Sequence, residues 1–263
     1  MLILLPPSEA KTAPRRGRPL DLDRLSFHSL TEARADVLDA LTTLCTTDGG
    51  GDVDKAAEVL GLGRTQTDEV LRNAELRTAP TARADEVYSG VLYEALDLPG
   101  LGTAARRRAT SRVAVTSALF GLVRPGDRIP AYRLSGSVSL PGIGPVASFW
   151  GARLDGAVHE AAGRGLVVDL RSSTYASFWR PDADTARRVV TARVLHEVNG
   201  QRKVVSHFNK ATKGRLVRSL LEDGGNPSTP RRFAELVRDL GWTVEVGSAG
   251  RHGTQLDVVV AEL

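Results

Sequence analysis

Residues 187–218 read RRVVTARVLHEVNGQRKVVSHFNKATKGRLVR. Two strand-like runs flank Asn199-Gly200, and Asn-Gly between such runs is the strongest short signal for a two-residue hairpin turn. The stretch therefore predicts paired antiparallel strands over 187–198 and 201–207, then a helix over 209–221. Working outward, Leu2 to Leu5 reads as a short buried strand, and 112–115 and 166–170 as further strands. Residues 243–246 and 255–261 make a last strand pair. Helices are predicted over 30–45, 53–60, 66–75, 84–97 and 147–162, with another from Pro230 to Gly241. Ser29-x-x-Glu32 has the form of a capping box for the first of them. The fold expected is α+β: one domain over 1–263, with a mixed, partly antiparallel sheet and surrounding helices.

Composition sets the class. At 263 residues, with 41% hydrophobic and 25% charged residues, the chain can bury a large core without a disulfide or metal. The opening apolar run is too short for a signal segment, and no membrane span is visible, so a cytoplasmic protein is expected. Cys45 is the only cysteine, which excludes an internal disulfide and a thiolate metal cluster. The five histidines show no His-x3-His spacing, so no metal and no cofactor is expected.

Charge is unevenly placed. Residues 32–97 hold 14 acids against 6 basic residues and make a helical acidic segment. Two stretches have basic residues and no acid: 98–126, with Arg106, Arg107, Arg108, Arg112 and Arg124, and 198–221, with Arg202, Lys203, Lys210, Lys213, Arg215 and Arg218. Such polarity suits a face that meets a polyanion; a solvated basic surface is the plainer alternative.

Signatures of nucleotide hydrolysis, dinucleotide binding and esterase chemistry are absent. Four unusual segments remain: Pro6-Pro-Ser-Glu-Ala-Lys11-Thr12, Tyr88-Ser-Gly-Val-Leu-Tyr93, Ser117 to Asp127 with Ile129 to Leu134, and Ser206 to Arg215. In this order, from residue 1 to about 220, they resemble the peroxide stress protein YaaA family. Phe149-Trp150-Gly151 and Asp169 to Tyr175 add two weaker matches. The resemblance implies a cytosolic protein that helps cells survive hydrogen peroxide by limiting free iron and oxidative DNA damage. It also implies a basic cleft and a helix-hairpin-helix-like DNA-binding element, here about 104–130. Carried over, the hairpin is Leu119 to Val123, with Arg124 and Arg128 on its rim. Gly121 would let backbone N–H groups approach a phosphate, while Val123 stands where a second glycine is usual. Thr174 departs from the family too, standing where relatives often carry glutamate.

The helix after His207 supports a sharper expectation. At 100° per residue Lys210 (0°) and Lys213 (300°) share an arc with Leu216, Val217, Leu220 and Leu221, whereas Arg215 and Arg218 point elsewhere. Two lysines on a packing face should line a cleft or meet an anion, with depressed pKa values. Lys11 is the natural third member, held by Ser8 or Glu9, with Ser173 and His207 as further pocket candidates. Each candidate also has a structural reading. Gly121, Pro125 and Gly126 fit a tight turn, and Tyr132-Arg133 an aromatic over a packed stem. Ser172 to Thr174 fit a helix N-cap, and His207 a satisfied core histidine on its strand.

Two functions follow. In the first, Gly121, Arg106 to Arg112, Arg124, Arg128, Arg133 and Arg215 bind double-stranded DNA without reading sequence. In the second, Lys11, Lys210 and Lys213 hold a phosphorylated or nucleotide-like anion in an enzyme pocket, one lysine acting as base or nucleophile.

Overall fold

A run of four aliphatic residues is at home where both faces of a sheet are covered. Leu2–Leu5 forms that strand, β1, and every residue of it is shut off from solvent. The computed structural model describes residues 1–46, 52–198, 201–203 and 206–260, with backbone alone at 64, 198, 201, 203, 206 and 207. The acidic segment is helical as expected, in α1 (Thr31–Cys45), α2 (Val53–Val59) and α3 (Thr67–Ala74). The capping box is not made: Leu30 is the N-cap of α1 and offers no side-chain acceptor. The helix expected over 84–97 is broken. A short strand β2 (Ala82–Arg83) leads into α4 (Ala84–Val87), and α5 (Val91–Leu96) starts afresh after Gly90, whose φ of +91° favours glycine. The break brings Tyr88 against the loop after β1, where it forms an isolated antiparallel bridge with Lys11.

From α6 (Thr103–Arg112) the chain enters β3 (Val113–Ser117), reverses into β4 (Gly121–Val123), and continues to β5 (Arg128–Ile129), which pairs with β2. The helix-hairpin-helix-like element expected over 104–130 is not formed. Gly121, Leu122 and Val123 instead face Ser117, Thr116 and Val115 in an antiparallel ladder. Arg34 of α1, fully buried, explains why. Its Nε donates to the Phe120 carbonyl at 3.0 Å, and its Nη2 to those of Ser26 and Leu122 at 2.7 and 2.8 Å, so the turn's carbonyls face inward. Gly121 has a φ of +70°, and a Cβ there would lie 2.6 Å from the Trp150 ring, so the glycine makes room for tryptophan rather than phosphate.

A small hairpin, β6 (Ser139–Leu140) and β7 (Gly144–Pro145), precedes α7 (Val146–Gly151) and α8 (Leu154–Ala162), which divide the single helix expected there. Then follow β8 (Val167–Asp169), α9 (Ser173–Ala176), α10 (Ala183–Ala186), β9 (Val189–Val198) and β10 (Gln201–Lys203). Gln201 faces Val198 in the predicted antiparallel hairpin; its Asn199-Gly200 turn and residues 204–205 lie outside the described residues. The helix α11 (Ser206–Asp223) starts three residues early, so His207 stands on a helix and not on a strand. β10 pairs with β9 at His196 to Val198, and β8 pairs with it further along, with Asp169 beside Thr191. Last come α12 (Pro230–Asp239) and the pair β11 (Thr243–Gly250) and β12 (Gly253–Val260).

The main sheet runs β11-β12-β9-β8-β1-β3-β4, with β10 on β9. Strands β12, β9, β8, β1 and β3 are parallel and β11, β10 and β4 antiparallel, which is the mixed sheet expected. One contiguous apolar cluster joins Leu2 at the sheet centre to Val37 of α1, Leu216 of α11 and Val258 of β12. No described helix is long and apolar enough to cross a membrane. The chain leaves β1 for β3 on one side and later comes back to β8 on the other. In sheets of this kind the crevice at such a reversal, outside the carboxyl ends of the strands, is where ligands bind.

Candidate functional site

Lys11 lies at that crevice, in the loop after β1. Its Nζ donates to the Ser8 carbonyl at 2.7 Å and sits 4.2 Å from the centre of the Tyr132 ring and 5.7 Å from that of Tyr88. Burial of the ammonium brings its pKa down to about 7, the Glu9 charge opposing the shift and that of Arg133 adding to it. A chain of hydroxyls runs beside it. Tyr88 Oη meets Tyr132 Oη at 3.1 Å, Tyr132 Oη meets Ser117 Oγ at 2.7 Å, and Ser117 Oγ accepts the Phe120 N–H at 3.0 Å. Burial raises the Tyr88 phenol to about 12 and holds that of Tyr132 well above its usual value, so both stay protonated at neutral pH. The loop is fixed from several sides. Ser8 Oγ accepts the Ser89 N–H, Tyr93 Oη donates to the Pro6 carbonyl, and Arg133 pairs with Glu9 at 2.5 Å. Buried Asn73 bonds both the N–H and the C=O of Arg133. The arrangement can supply a neutral amine and hydroxyl donors at neutral pH, the parts of a general base or a nucleophile.

A second cluster follows β8. Arg171 grips Asp169 at 2.8 and 2.7 Å and donates to the carbonyls of Tyr175 and Trp179. Lys213 donates to the neighbouring Leu170 carbonyl at 3.1 Å; burial lowers its pKa, against the attraction of Asp169. Lys213 points inward as expected, but Lys210 is exposed. The reason is that α11 is wedged between the sheet and α5. A Cβ on Gly214 would lie 2.3 Å from the Leu92 carbonyl, so Lys213 is covered while Lys210, one turn earlier, is not. Lys11 and Lys213 have different acceptors, the carbonyls of Ser8 and Leu170, and the Leu170 N–H in turn bonds the Leu4 carbonyl of β1.

The remaining expected residues scatter. Ser173 opens α9, exposed, and no hydroxyl caps that helix. The side chain of His207 lies outside the described residues. Arg124 donates to the carbonyls of Ser111 and Val113 and stacks 5.0 Å from the Phe27 ring. Arg128 is exposed and reaches the Thr81 carbonyl; Arg215 is exposed, and its guanidinium meets no other described residue. Among the described residues no group of three His, Cys, Asp or Glu could hold a metal.

A sequence profile described as "peroxide stress protein YaaA" matches residues 1–245. The chain belongs to the peroxide stress protein YaaA family. It is 51% identical to a UPF0246 protein of Streptomyces coelicolor over 265 residues, covering all of both chains. A UPF0246 protein of Corynebacterium efficiens is 43% identical over 98% of this chain and all of its own length. An uncharacterized protein of Campylobacter jejuni is 26% identical over 82% and 83% of the two chains. Three of the four segments that carry the YaaA resemblance converge on the Lys11 site, through Ser8 and Lys11, Tyr88 and Tyr93, and Ser117 and Tyr132. The fourth supplies Lys213 to the cluster after β8. The hydroxyl chain and the Asp169–Arg171 grip were not foreseen. Their residues stood inside quoted segments, but nothing in spacing says that residues 15 or 44 positions apart touch.

Proposed function

We propose that the protein serves the peroxide stress response by binding double-stranded DNA through its phosphates, without reading sequence, and so limits iron-dependent oxidative damage. The observation that supports this is how the arginines of 98–126 are held. Arg106 donates to the Pro99 carbonyl, Arg108 to Leu221 and Glu222, Arg112 to Gly224 and Gly225, and Arg124 to Ser111 and Val113. None of these guanidiniums pairs with a carboxylate among the described residues. A carbonyl fixes a guanidinium without cancelling its charge, so the stretch keeps its field. Arg107 is exposed on the same helix. Duplex binding should weaken steeply with salt, log K falling by about 0.9 per phosphate contact against log salt. A flat salt response rejects the reading.

The amine of Lys11 favours a second reading, an enzyme acting on a small anionic or nucleotide-like molecule at the crevice. An amine neutral near pH 7 and backed by phenols is poised for proton transfer or attack. Its labelling by an acylating reagent, followed by mass spectrometry against pH, should be half-maximal near 7; half-maximal labelling near 10 overturns it. The same shift has a stability consequence. The ordinary lysine value of 10.5 exceeds the folded one of about 7, so between them the unfolded chain binds the extra proton. Stability from this group is complete above 10.5 and is lost as pH falls to about 7. Lys11→Met should flatten that slope in denaturation curves across the window.

A further inference from the structure

Parallel strands are usually apolar on both faces, yet one face of β8, β9 and β12 is polar. Asp169 stands beside Thr191, Thr191 beside Gln255, and Arg193 beside Asp257. These side chains floor a cleft of about 820 Å³, within the roughly 300–1,000 Å³ of small-molecule sites. The tip of the β11–β12 hairpin overhangs it, bent by a bulge between Val246 and Ala249. Both acids are already engaged: Asp169 by Arg171, and Asp257 by Arg193 at 2.9 and 2.6 Å. Three basic side chains that also line the cleft, Arg180, Arg251 and His252, have no carboxylate partner among the described residues. Arg180 and Arg251 are exposed. Arg251 Nε points at His252 Nε2, 3.0 Å away, and Nδ1 of that ring is buried without a partner. Burial and then the charges of Arg251 and Arg180 lower the His252 pKa, with Asp169 opposing them. The positive charges of Arg251 and Arg180 thus disfavour protonation of the imidazole, which accepts from Arg251, unless an anion enters.

We propose that this cleft is a phosphomonoester site, in which Arg180 and Arg251 clamp the phosphate, His252 adds a third donor, and Thr191 and Gln255 meet the group that carries it. Guanidinium forks match phosphate oxygens in pairs. A dianion draws Arg251 off the ring and favours the protonated imidazole, so occupancy and His252 titration are linked. The phosphate has two sources with the same chemistry, a free nucleotide or the 5′ end of a DNA strand. The test titrates the full chain with inorganic phosphate, adenosine 5′-monophosphate, and a duplex with 5′-phosphate or 5′-hydroxyl ends, by calorimetry and histidine NMR. Phosphate and the nucleotide should bind, raise the His252 pKa, and lose about tenfold or more in affinity in Arg180→Ala and in Arg251→Ala. A preference for the 5′-phosphorylated duplex that both variants abolish also supports the site and assigns it to DNA ends. Phosphate and nucleotide without binding, together with equal binding of both duplexes, overturn it; so does binding that both variants leave intact. Charge reversal at Arg106 and Arg107 should leave phosphate binding unchanged, which separates this site from the DNA-binding reading above.

Discussion

Among the described residues Arg106, Arg108, Arg112 and Arg124 of residues 98–126 meet carbonyl oxygens and no carboxylate, whereas Arg202 and Arg218 of residues 198–221 meet carboxylates, Arg218 three carbonyls besides. Arg202 lies between Glu197 and Glu245 at 2.7 and 2.8 Å, and Arg218 between Asp97 and Glu222 at 3.1 and 3.0 Å. Lys213 is drawn inward, which leaves Lys210 and Arg215 as the exposed cations of that stretch with no carboxylate partner among the described residues. In the other stretch Arg108 and Arg112 cap the end of α11 and the loop behind it. There the charges repel one another: burial and the neighbouring Arg108 both lower the Arg112 pKa. Two acid-free stretches of similar length thus have different electrostatic value, because the partner decides whether a cation keeps its field.

Both stretches also contain a glycine that neighbours require, and here the largest effects are expected. Gly121→Ala would drive a methyl into Trp150 at a positive φ, and Gly214→Ala would drive one into the α5 backbone. Each should cost about 3 kcal/mol, a Tm loss of roughly 6–10 °C in thermal unfolding. If Gly121→Ala weakens DNA binding at unchanged Tm, the packing role assigned to it is wrong. Next in size, the double reversal Arg106→Glu with Arg107→Glu should weaken duplex binding about tenfold or more and flatten the salt slope by roughly 2. An unchanged slope would remove the contrast between the stretches. The smallest effect belongs to Arg202→Ala and Arg218→Ala. Exposed ion pairs contribute about 0–1 kcal/mol, so stability should fall by no more than that and duplex affinity by less than about twofold. A large loss of DNA affinity in either would mean that the neutralised stretch contacts DNA after all.

Much of this was legible beforehand. The apolar run of β1, the helices of the acidic segment and the hairpin at 198–201 follow from patterns that act over a few residues. The break at Gly90 and the split of α7 from α8 were missed, because helical periodicity continues across both. The strand at Gly121 to Val123 was misread because its decisive partner is Arg34, about 86 positions earlier, which bonds the Phe120 carbonyl. At the candidate site, Lys11 and its Ser8 neighbour were foreseen, while Asn73, Tyr132 and Ser117 acquire their roles only through contacts across the fold.

The sequence by itself determined the family and the mixed sheet with surrounding helices, because apolar runs and periodicity fix which faces are buried; it placed Lys210 and Lys213 on one inward face, and packing covered only Lys213. Tertiary structure alone decided which cations remain free. Hydrogen bonds and ion pairs act over a few ångströms and ignore chain distance, so whether an arginine meets a carbonyl, a carboxylate or open solvent is set when distant segments pack.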